Sequence, residues 1–444
     1  MSLPILDAAV AHPDRLAFDD GLNQVTYGRL VGKLSQHQRM IASLEPGQHV
    51  AWCPKNDFDA FCMFWAILLQ NCVACPISHR FPEMRRKAIC ERLAAVWLPD
   101  HVAEKSVVES NHAAESKTDH DPSSPATVIL SSGSTGEPKA IGHSMAAHIA
   151  SAQGSATNIA LSPGDRWLWS LPLFHVSGLS ILIRCAVAGA TVVGVRDDSQ
   201  FSADLIDELE ITHLSAVNTQ LRRLVQEQNF PSKHLKAILL GGSSVDEVLV
   251  DSVRQRGVAV HTTYGLTEMA SQVTTSTVDG NPARSGSVLP GREVKIAAGG
   301  EILVRGDTLC LGYFTDGEFQ PVVDEQGWFH TGDLGAFDET GELTVVGRID
   351  NMFISGGENI YPENIERAIT NLFEVRQAVV APRGDETFGV RPVAFVDGTL
   401  PTDWETKLRQ TLQSYEVPVE ILPWPQDMEA GIKPDRKRMQ RLVE

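Results

Sequence analysis

Residues 127–139 have the sequence TVILSSGSTGEPK, an apolar run of β type that passes into a loop of hydroxyl residues and glycines. Glycines let backbone N–H groups approach an anion, hydroxyls donate further hydrogen bonds, and a lysine adds positive charge. In the Walker motif the lysine directly follows the second glycine, whereas Glu137 and Pro138 intervene here, so a standard P-loop is not predicted. The stretch predicts a cradle for a triphosphate, made of Ser131, Ser132, Gly133, Ser134, Thr135, Gly136 and Lys139.

The chain has 444 residues, of which 43% are hydrophobic, and this length predicts two or more domains. Its formal net charge of -18 disfavours binding to a nucleic-acid backbone. The longest uninterrupted apolar run, residues 60–69, is too short to cross a bilayer, and the first residues lack the pattern of a signal peptide. We therefore expect a globular, cytoplasmic protein with no membrane span and no nucleic-acid partner. The sequence leaves open whether it forms a homo-oligomer.

The seven cysteines are scattered and odd in number, which predicts no disulfide framework and suits a reducing compartment. Cys72 and Cys75 have the spacing of a redox motif or of half a zinc site. They lie in an apolar run without a second pair, so we expect a buried structural role and assign them no chemistry.

Helical and strand-like patterns alternate along the first hundred residues, with helices predicted over 27–44 and 58–70 and strands over 50–53 and 73–77. This alternation predicts an α/β fold. A helix over 144–154 follows the phosphate loop, and its N-terminal amides are expected to face the phosphates. From residue 286 onward, short β-like segments separated by glycine-rich turns predict a small β subdomain.

Small polar residues follow several of the predicted strands. In open α/β sheets, ligands bind beyond the carboxyl ends of the strands, so these residues are expected to line one crevice. Tyr264, Thr267 and Glu268 supply an aromatic ring, a hydroxyl and a carboxylate, which together can stack a purine, bind an α-phosphate and hold Mg²⁺. The other strand-end candidates are His175, Ser177, Thr219, Gly241, Gly242, Ser243, Gly265 and Leu266.

The segments SSGSTGEPK (131–139) and YGLTE (264–268), in this order, resemble motifs of the adenylate-forming, AMP-binding superfamily of acyl-CoA synthetases, luciferases and adenylation domains. The resemblance implies a large N-terminal domain over residues 1–349, made of α/β layers plus a small β subdomain. It also implies a small α+β C-terminal lid over residues 350–444. The implied small molecules are ATP, Mg²⁺ and coenzyme A.

Further segments extend this resemblance and imply individual roles. Asp333 would accept the ribose hydroxyls, Arg348 would bind ribose or phosphate, and Asp350 in the segment VGRID (346–350) would be the hinge of the lid. Lys433 in GIKPDR (431–436) would be the catalytic lysine, with Lys437 as the competing assignment because Ile432 stands where many members have glycine. The remaining implied roles are magnesium binding at Glu268, catalysis by Thr267 and His175, and admission of pantetheine at Gly356 and Gly357.

Within the superfamily, segments 171–180, 218–221 and 290–296 most resemble o-succinylbenzoate–CoA ligases of menaquinone biosynthesis. His175 follows Phe174 where amino-acid-activating members usually carry aspartate, so an α-amino acid is disfavoured as the substrate. The residues expected to contact the acid are His175, Ser177, Arg184, Thr219, Gly242 and Leu266. Another small aryl or acyl acid, or a carrier-protein thiol in place of coenzyme A, remains an alternative.

A dicarboxylate substrate requires a cation for the carboxylate that is not adenylated, and Arg184 is the best candidate. Its neighbours in sequence are apolar or small, and arginine is rarely buried without a partner. Asp204 or Glu208 could instead pair with it in the core. If such a core pair forms, the second carboxylate must be sought near Arg222 or Arg223.

Overall fold

A computed structural model describes residues 1–99, 120–131, 138–195, 201–242, 245–426, 428 and 435–443. The α-helices are α1 (Pro4–Ala11), α2 (Tyr27–Met40), α3 (Phe58–Leu69), α4 (Glu83–Arg92), α5 (Met145–Ala156), α6 (Val176–Ala188), α7 (Ala203–Glu208), α8 (Asn218–Val225), α9 (Glu247–Arg254), α10 (Pro362–Leu372), α11 (Trp404–Leu408) and α12 (Arg436–Arg441). Among the described residues, no helix combines the length and the apolar character needed to cross a membrane.

The strands up to residue 275 are β1 (Leu16–Asp19), β2 (Gln24–Thr26), β3 (His49–Trp52), β4 (Val73–Pro76), β5 (Val96–Trp97), β6 (Pro125–Ser131), β7 (Lys139–Ser144), β8 (Arg166–Leu168), β9 (Thr191–Val193), β10 (His213–Ala216), β11 (Ala237–Leu240), β12 (Ala259–Leu266) and β13 (Ser271–Thr275). The later strands are β14 (Ser287–Val288), β15 (Arg292–Ile296), β16 (Glu301–Gly306), β17 (Gly312–Thr315), β18 (Glu318–Gln320), β19 (Phe329–Phe337), β20 (Leu343–Arg348), β21 (Phe353–Ser355), β22 (Glu358–Ile360), β23 (Gln377–Asp385), β24 (Gly389–Asp397) and β25 (Ile421–Pro423).

The larger sheet has the order β14-β13-β12-β11-β10-β8-β9-β1-β2 over the described residues. Its central strands β12, β11, β10, β8, β9 and β1 are parallel neighbours. Because parallel strands end at the same edge of a sheet, the turns after β8, β10, β11 and β12 lie side by side. This edge carries most of the strand-end candidates.

The second sheet has the order β18-β17-β7-β6-β4-β3-β5 and contains the proposed phosphate loop between β6 and β7. These two strands form an antiparallel hairpin in which Ser131 pairs with Lys139 and Pro125 pairs with Ser144. Helix α5 therefore begins at the end of the hairpin opposite the loop. The expectation that its N-terminal amides face the phosphates is wrong, because closeness in sequence was taken for closeness in space.

Helices pack between the two sheets and share one core with both. The core joins residues of both sheets to the buried faces of α2, α3 and α6. Helix α3 begins after Asp57, whose side chain caps the amide of Ala60, and its apolar sequence leaves nearly every residue buried. Phe18 of the larger sheet lies 5.2 Å, centroid to centroid, from both Phe58 and Phe61. This layered α/β architecture agrees with the predicted fold class.

A separate four-stranded sheet, β15-β16-β19-β20, forms the small β region expected after residue 286. The intervening hairpin of β17 and β18 joins the second sheet instead, where Tyr313 pairs with Ile141 of β7. The chain thus returns from the β region to the strand that leaves the phosphate loop. This return was not visible in the sequence.

Beyond Arg348 the chain forms one 3₁₀ turn, Ile349–Asn351, and then two small sheets, β21-β22 and β23-β24-β25, and its own core. Helix α10 packs with strands β23 and β24 around Ile365, Ile369 and Val380. Arg367 of this helix donates to the carbonyl of Val345 at 2.7 Å, which joins the C-terminal part to β20. The turn at 349–351 is therefore the covalent link between the β region and this C-terminal part.

Candidate active site

The turns at the carboxyl edge of the larger sheet place several predicted residues together. Gly241 follows β11, and Thr219 lies in the first turn of α8 directly after β10. Strand β12 continues past the end of β11, because Leu240 pairs with Thr262 and β12 ends at Leu266. A Cβ on Gly241 would lie 2.7 Å from the Thr263 methyl carbon, so the close approach of these strands requires glycine.

Lys139, Tyr313 and Glu268 form a chain of polar contacts between the two sheets. The Tyr313 hydroxyl donates to Oε1 of Glu268 at 2.9 Å. Nζ of Lys139 donates to the same hydroxyl at 3.2 Å and lies 4.6 Å from the ring centroid. Burial and Glu268 both raise the pKa of Tyr313, so it remains a protonated donor. The end of the phosphate loop thereby contacts the turn that carries the predicted magnesium ligand.

The Glu268 carboxylate fits a magnesium site that substrate phosphates complete. The described residues contain no group of three or more His, Cys, Asp or Glu side chains that could hold a metal by themselves. Mg²⁺ commonly takes one or two protein carboxylates together with phosphate oxygens and waters. One oxygen of Glu268 accepts from Tyr313, which orients the carboxylate and leaves its second oxygen for an ion.

Tyr264, Asp333 and Arg348 form a second linked group next to this turn. The Tyr264 hydroxyl donates to Oδ2 of Asp333 at 2.7 Å, and Nη1 of Arg348 donates to Oδ1 at 2.7 Å. Burial raises the pKa of the Asp333 carboxyl, and the nearby Arg348 opposes this rise. Each carboxylate oxygen has a further lone pair, so Asp333 can still accept two ribose hydroxyls. The sequence predicted these residues individually but not their contacts.

Helix α6 begins immediately after His175 and carries two of the predicted acid-binding residues, Ser177 and Arg184. His175 is exposed at the start of the helix, and its ring centroid lies 4.8 Å from that of Phe174, which is buried. Gly178 lies so close to the preceding turn that a Cβ would come 2.1 Å from the carbonyl oxygen of Pro172. Ser177 and Arg184 are seven residues apart, so they share one face of the helix over roughly 10 Å.

Arg184 is 4% exposed and contacts strand β13. Its Nη2 donates to Oε1 of Gln272 at 2.6 Å and to Oγ of Ser271 at 3.4 Å, and both residues are on β13. Its Nε has no hydrogen-bond partner among the described residues, and no described carboxylate lies within ion-pair distance. Burial lowers its pKa to about 10, so the guanidinium remains charged near neutral pH.

The structure does not contain the alternative core pair of Arg184 with Asp204 or Glu208. Oδ1 of Asp204 accepts from Asn229 at 2.7 Å. Strand β13 pairs with β12 so that Ser271 is opposite Leu266 and Gln272 is opposite Gly265. The partners of Arg184 thus lie directly against the predicted nucleotide and acid motif.

Gly356 and Gly357 form the two-residue turn between β21 and β22, with φ of 59° and 90°. Such hairpin turns require positive φ at both positions and therefore favour glycine. The turn is exposed, and a Cβ on Gly357 would have no heavy atom within 4 Å. The turn geometry thus explains why glycine occupies both positions. The predicted role of these glycines toward coenzyme A stays a prediction.

Some predicted residues lie outside the described part of the chain, namely Ser132, Gly133, Ser134, Thr135, Gly136, Ser243 and Lys433. Arg436, three residues after Lys433, pairs with both oxygens of Glu366 at 2.6 and 2.9 Å. Cys72 and Cys75 are buried, and burial raises the pKa of the Cys72 thiol to about 11, which agrees with a structural role.

Sequence reasoning missed Tyr313 and His143 as members of the site region. Nε2 of His143 lies 2.6 Å from the carbonyl oxygen of Thr267. Both residues are on strands of the second sheet, where alternation between the two faces gives no sign of contact with another sheet. No local pattern in the sequence therefore identifies Tyr313 or His143 as part of the site.

The family model for AMP-binding enzymes matches residues 6–314 of the chain. The 2-succinylbenzoate–CoA ligase of Salmonella typhimurium is 41% identical over 324 residues, which cover 71% of this chain and 69% of that protein. The chain belongs to the AMP-binding enzyme family. A second relative of this AMP-binding enzyme, the 2-succinylbenzoate–CoA ligase of Bacillus pumilus, is 32% identical over 422 residues, covering 88% of this chain and 87% of the relative.

Solved structures of similar proteins agree with this membership. A variant of Escherichia coli MenE with bound OSB-AMS superimposes with a TM-score of 0.86 at 30% identity and covers 100% of this chain and 98% of its own. The o-succinylbenzoate CoA synthetase of Bacillus subtilis in complex with the acyl-adenylate intermediate OSB-AMP gives 0.87 at 27% identity, with coverage of 99% and 98%. The same Bacillus enzyme in complex with ATP and magnesium gives 0.83 at 28%, with coverage of 95% and 96%.

Proposed function

We infer that this AMP-binding enzyme is an o-succinylbenzoate–CoA ligase of menaquinone biosynthesis. A carboxylate oxygen of o-succinylbenzoate attacks the α-phosphorus of ATP, the bond to the β-phosphate oxygen breaks, and pyrophosphate leaves. The thiol of coenzyme A then attacks the acyl carbon of the adenylate, and AMP leaves with the proton passing to solvent. The products are one thioester, one AMP and one pyrophosphate for each ATP.

The observation that favours a dicarboxylate is the environment of Arg184. A charged guanidinium that is buried without a carboxylate is costly, and a substrate carboxylate that pairs with it offsets this cost. It lies on the helix that begins after His175, which supports its assignment to the inner end of the proposed acid pocket. The planar guanidinium can donate two parallel hydrogen bonds to a carboxylate. We propose that Arg184 binds the carboxylate that does not react.

The nucleotide is held by the two polar groups between the sheets. Asp333 accepts the ribose hydroxyls, Arg348 orients this carboxylate and opposes the rise in its pKa that burial causes, and Lys139 binds phosphate at the end of the loop. Thr267 and Glu268 present a hydroxyl and a carboxylate at the end of β12. Magnesium at Glu268 supplies positive charge that offsets the charge developing on the phosphates.

We propose that residues 350–444 form a lid that takes two positions, one for each half-reaction. Asp350 lies in the single turn between β20 and β21, and its carboxylate is 3.7 Å from Arg348. In the first position Lys433 would stabilise charge at the α-phosphate, and in the second the Gly356–Gly357 turn would admit pantetheine. The reaction uses soluble cofactors and a small acid, which supports a cytoplasmic location.

The proposal is tested by supplying ATP, Mg²⁺ and a panel of acids and measuring pyrophosphate release, first without and then with coenzyme A. The panel contains o-succinylbenzoate, benzoate, fatty acids and α-amino acids. Turnover with o-succinylbenzoate at least ~100-fold above the other acids in kcat/KM is expected, which is within the range that a buried polar group can discriminate. Preference for another acid, or thioester formed only on a carrier protein, would reject the proposed substrate or acceptor.

A further inference from the structure

The Thr267–Glu268 turn is held by partners from several different segments of the chain. The carbonyl of Thr267 accepts from the amide of Ala270 at 3.1 Å, which closes the 3₁₀ turn. The carbonyl of Glu268 accepts from the amide of Cys310 at 2.8 Å. Ala270 and Ser271 have φ of 50° and 116°, values that residues other than glycine rarely adopt. Such a conformation persists only where surrounding contacts fix it.

His143 supplies one of these contacts from inside the protein. It is fully buried on β7, and its Nε2 lies 2.6 Å from the Thr267 carbonyl oxygen. A carbonyl oxygen can only accept, so Nε2 carries a hydrogen. Because burial lowers the pKa of His143 to about 4, the ring is neutral near pH 7 and Nδ1 carries none. That Nδ1 has no hydrogen-bond partner among the described residues. A buried nitrogen without a partner destabilises the fold, so core packing alone does not explain a histidine here.

We propose that His143 is a positioning residue that sets the geometry of the Thr267–Glu268 turn for Mg²⁺ and the nucleotide phosphates. Strand β7 begins with Lys139 at the phosphate loop and carries His143 four residues later. Tyr313, on the strand beside β7, contacts both Lys139 and Glu268. The strand that leaves the phosphate loop is thus joined to the metal-binding turn at two points. Because His143 is buried, it acts through Thr267 and does not touch substrate.

The effect of His143 on catalysis rests on the proposed function, whereas the contact between His143 and Thr267 is independent of it. His148 offers a matched control, since it is also buried and its ring lies 5.1 Å from that of His143. Its Nε2 contacts Oγ1 of Thr127 at 2.9 Å, so its hydrogen-bond partner lies away from the turn. Substitutions at the two histidines therefore disturb the same core, but only one of them removes a donor to the turn.

The experiment compares His143→Gln, which keeps a donor at the position of Nε2, with His143→Met, which has similar length and no donor. His143→Met should weaken Mg·ATP binding, measured calorimetrically without acid, by roughly 3-fold to 10-fold and lower the kcat of pyrophosphate release by roughly 10-fold to 100-fold. The KM for the acid should change less than about 2-fold, because His143 contacts Thr267, which is not among the residues assigned to the acid. His143→Gln should restore most of both losses.

The results that would overturn the role of His143 differ from those that would reject the proposed ligase function. His148→Met should lower Tm about as much as His143→Met and leave Mg·ATP binding unchanged. Equal impairment by His143→Gln and His143→Met, or a loss confined to Tm, would make His143 a packing residue only. Nitrogen-15 NMR of the ligand-free enzyme should show the Nε2–H tautomer of His143. The Nδ1–H tautomer would overturn the proposal, whatever acid the enzyme activates.

Discussion

Replacement of Arg184 by alanine is expected to remove the recognition of the second carboxylate. Burial lowers the pKa of Arg184 from 12.5 to about 10, which corresponds to a cost of roughly 3 kcal/mol for the charged form. A substrate carboxylate can offset a cost of this size, and breaking such a buried charge pair typically costs about 2–5 kcal/mol. We therefore expect kcat/KM for o-succinylbenzoate to fall about 100-fold in Arg184→Ala.

The assay compares o-succinylbenzoate with two monocarboxylate analogues, each of which keeps one of its two carboxylates. Only the analogue that keeps the reacting carboxylate can be adenylated, so pyrophosphate release identifies it. The wild-type enzyme should prefer the dicarboxylate to this analogue by roughly 100-fold, and Arg184→Ala should lose this preference. The Kd for ATP and the Tm should change little, because the substitution also removes a buried charge that has no carboxylate partner.

Arg292 provides the control for a buried arginine with a structural role. It is 6% exposed, and its guanidinium donates to the backbone carbonyls of Gln272 at 2.8 Å and Pro290 at 2.7 Å. Arg292→Ala should therefore lower Tm and leave the preference between the two acids unchanged. If Arg184→Ala behaves in the same way, with a large fall in Tm and an intact preference, the reasoning about Arg184 is refuted.

Lys433→Ala should slow pyrophosphate release by at least ~100-fold, the scale of lost electrostatic stabilisation, while a supplied acyl-adenylate is still converted to the thioester; the same pattern in Lys437→Ala would transfer the role. Asp350→Pro should keep one half-reaction and strongly reduce the other, because proline fixes φ in the turn, whereas Asp350→Ala should be mild. Loss of both half-reactions in folded Asp350→Pro would contradict a two-position lid. Tyr313→Phe should weaken Mg·ATP binding by about 5-fold, the value of one hydrogen bond, and unchanged binding would remove Tyr313 from the site.

The sequence predicted the parts of the site that follow local patterns. Apolar runs of β type ended by small polar residues identified the turns after β10, β11 and β12, because strands and their ends leave a short-range signal. The helices over residues 27–44 and 58–70 form as α2 and α3, with α2 ending four residues earlier than expected. The predicted strands over 50–53 and 73–77 form as β3 and β4.

The contacts between these parts could not be predicted, because they join residues far apart in the chain. The Tyr313–Glu268 hydrogen bond spans 45 positions, the Tyr264–Asp333 bond spans 69, and the Arg184–Gln272 bond spans 88. The wrong expectation that the N-terminus of α5 faces the phosphates has the opposite cause. Helix α5 is close to the phosphate loop in sequence, but the β6–β7 hairpin places its start at the far end from the loop. Only the sheet topology shows which residues distant in sequence are in contact and which residues close in sequence are far apart in space.

The central claim is tested most directly by incubating the purified enzyme with o-succinylbenzoate, ATP, Mg²⁺ and coenzyme A and measuring all products in one reaction. The account predicts AMP, pyrophosphate and o-succinylbenzoyl-CoA in equal amounts. Without coenzyme A, it predicts an acyl-adenylate that remains bound to the enzyme. Formation of ADP and phosphate, or nucleotide cleavage that does not depend on o-succinylbenzoate, would contradict it.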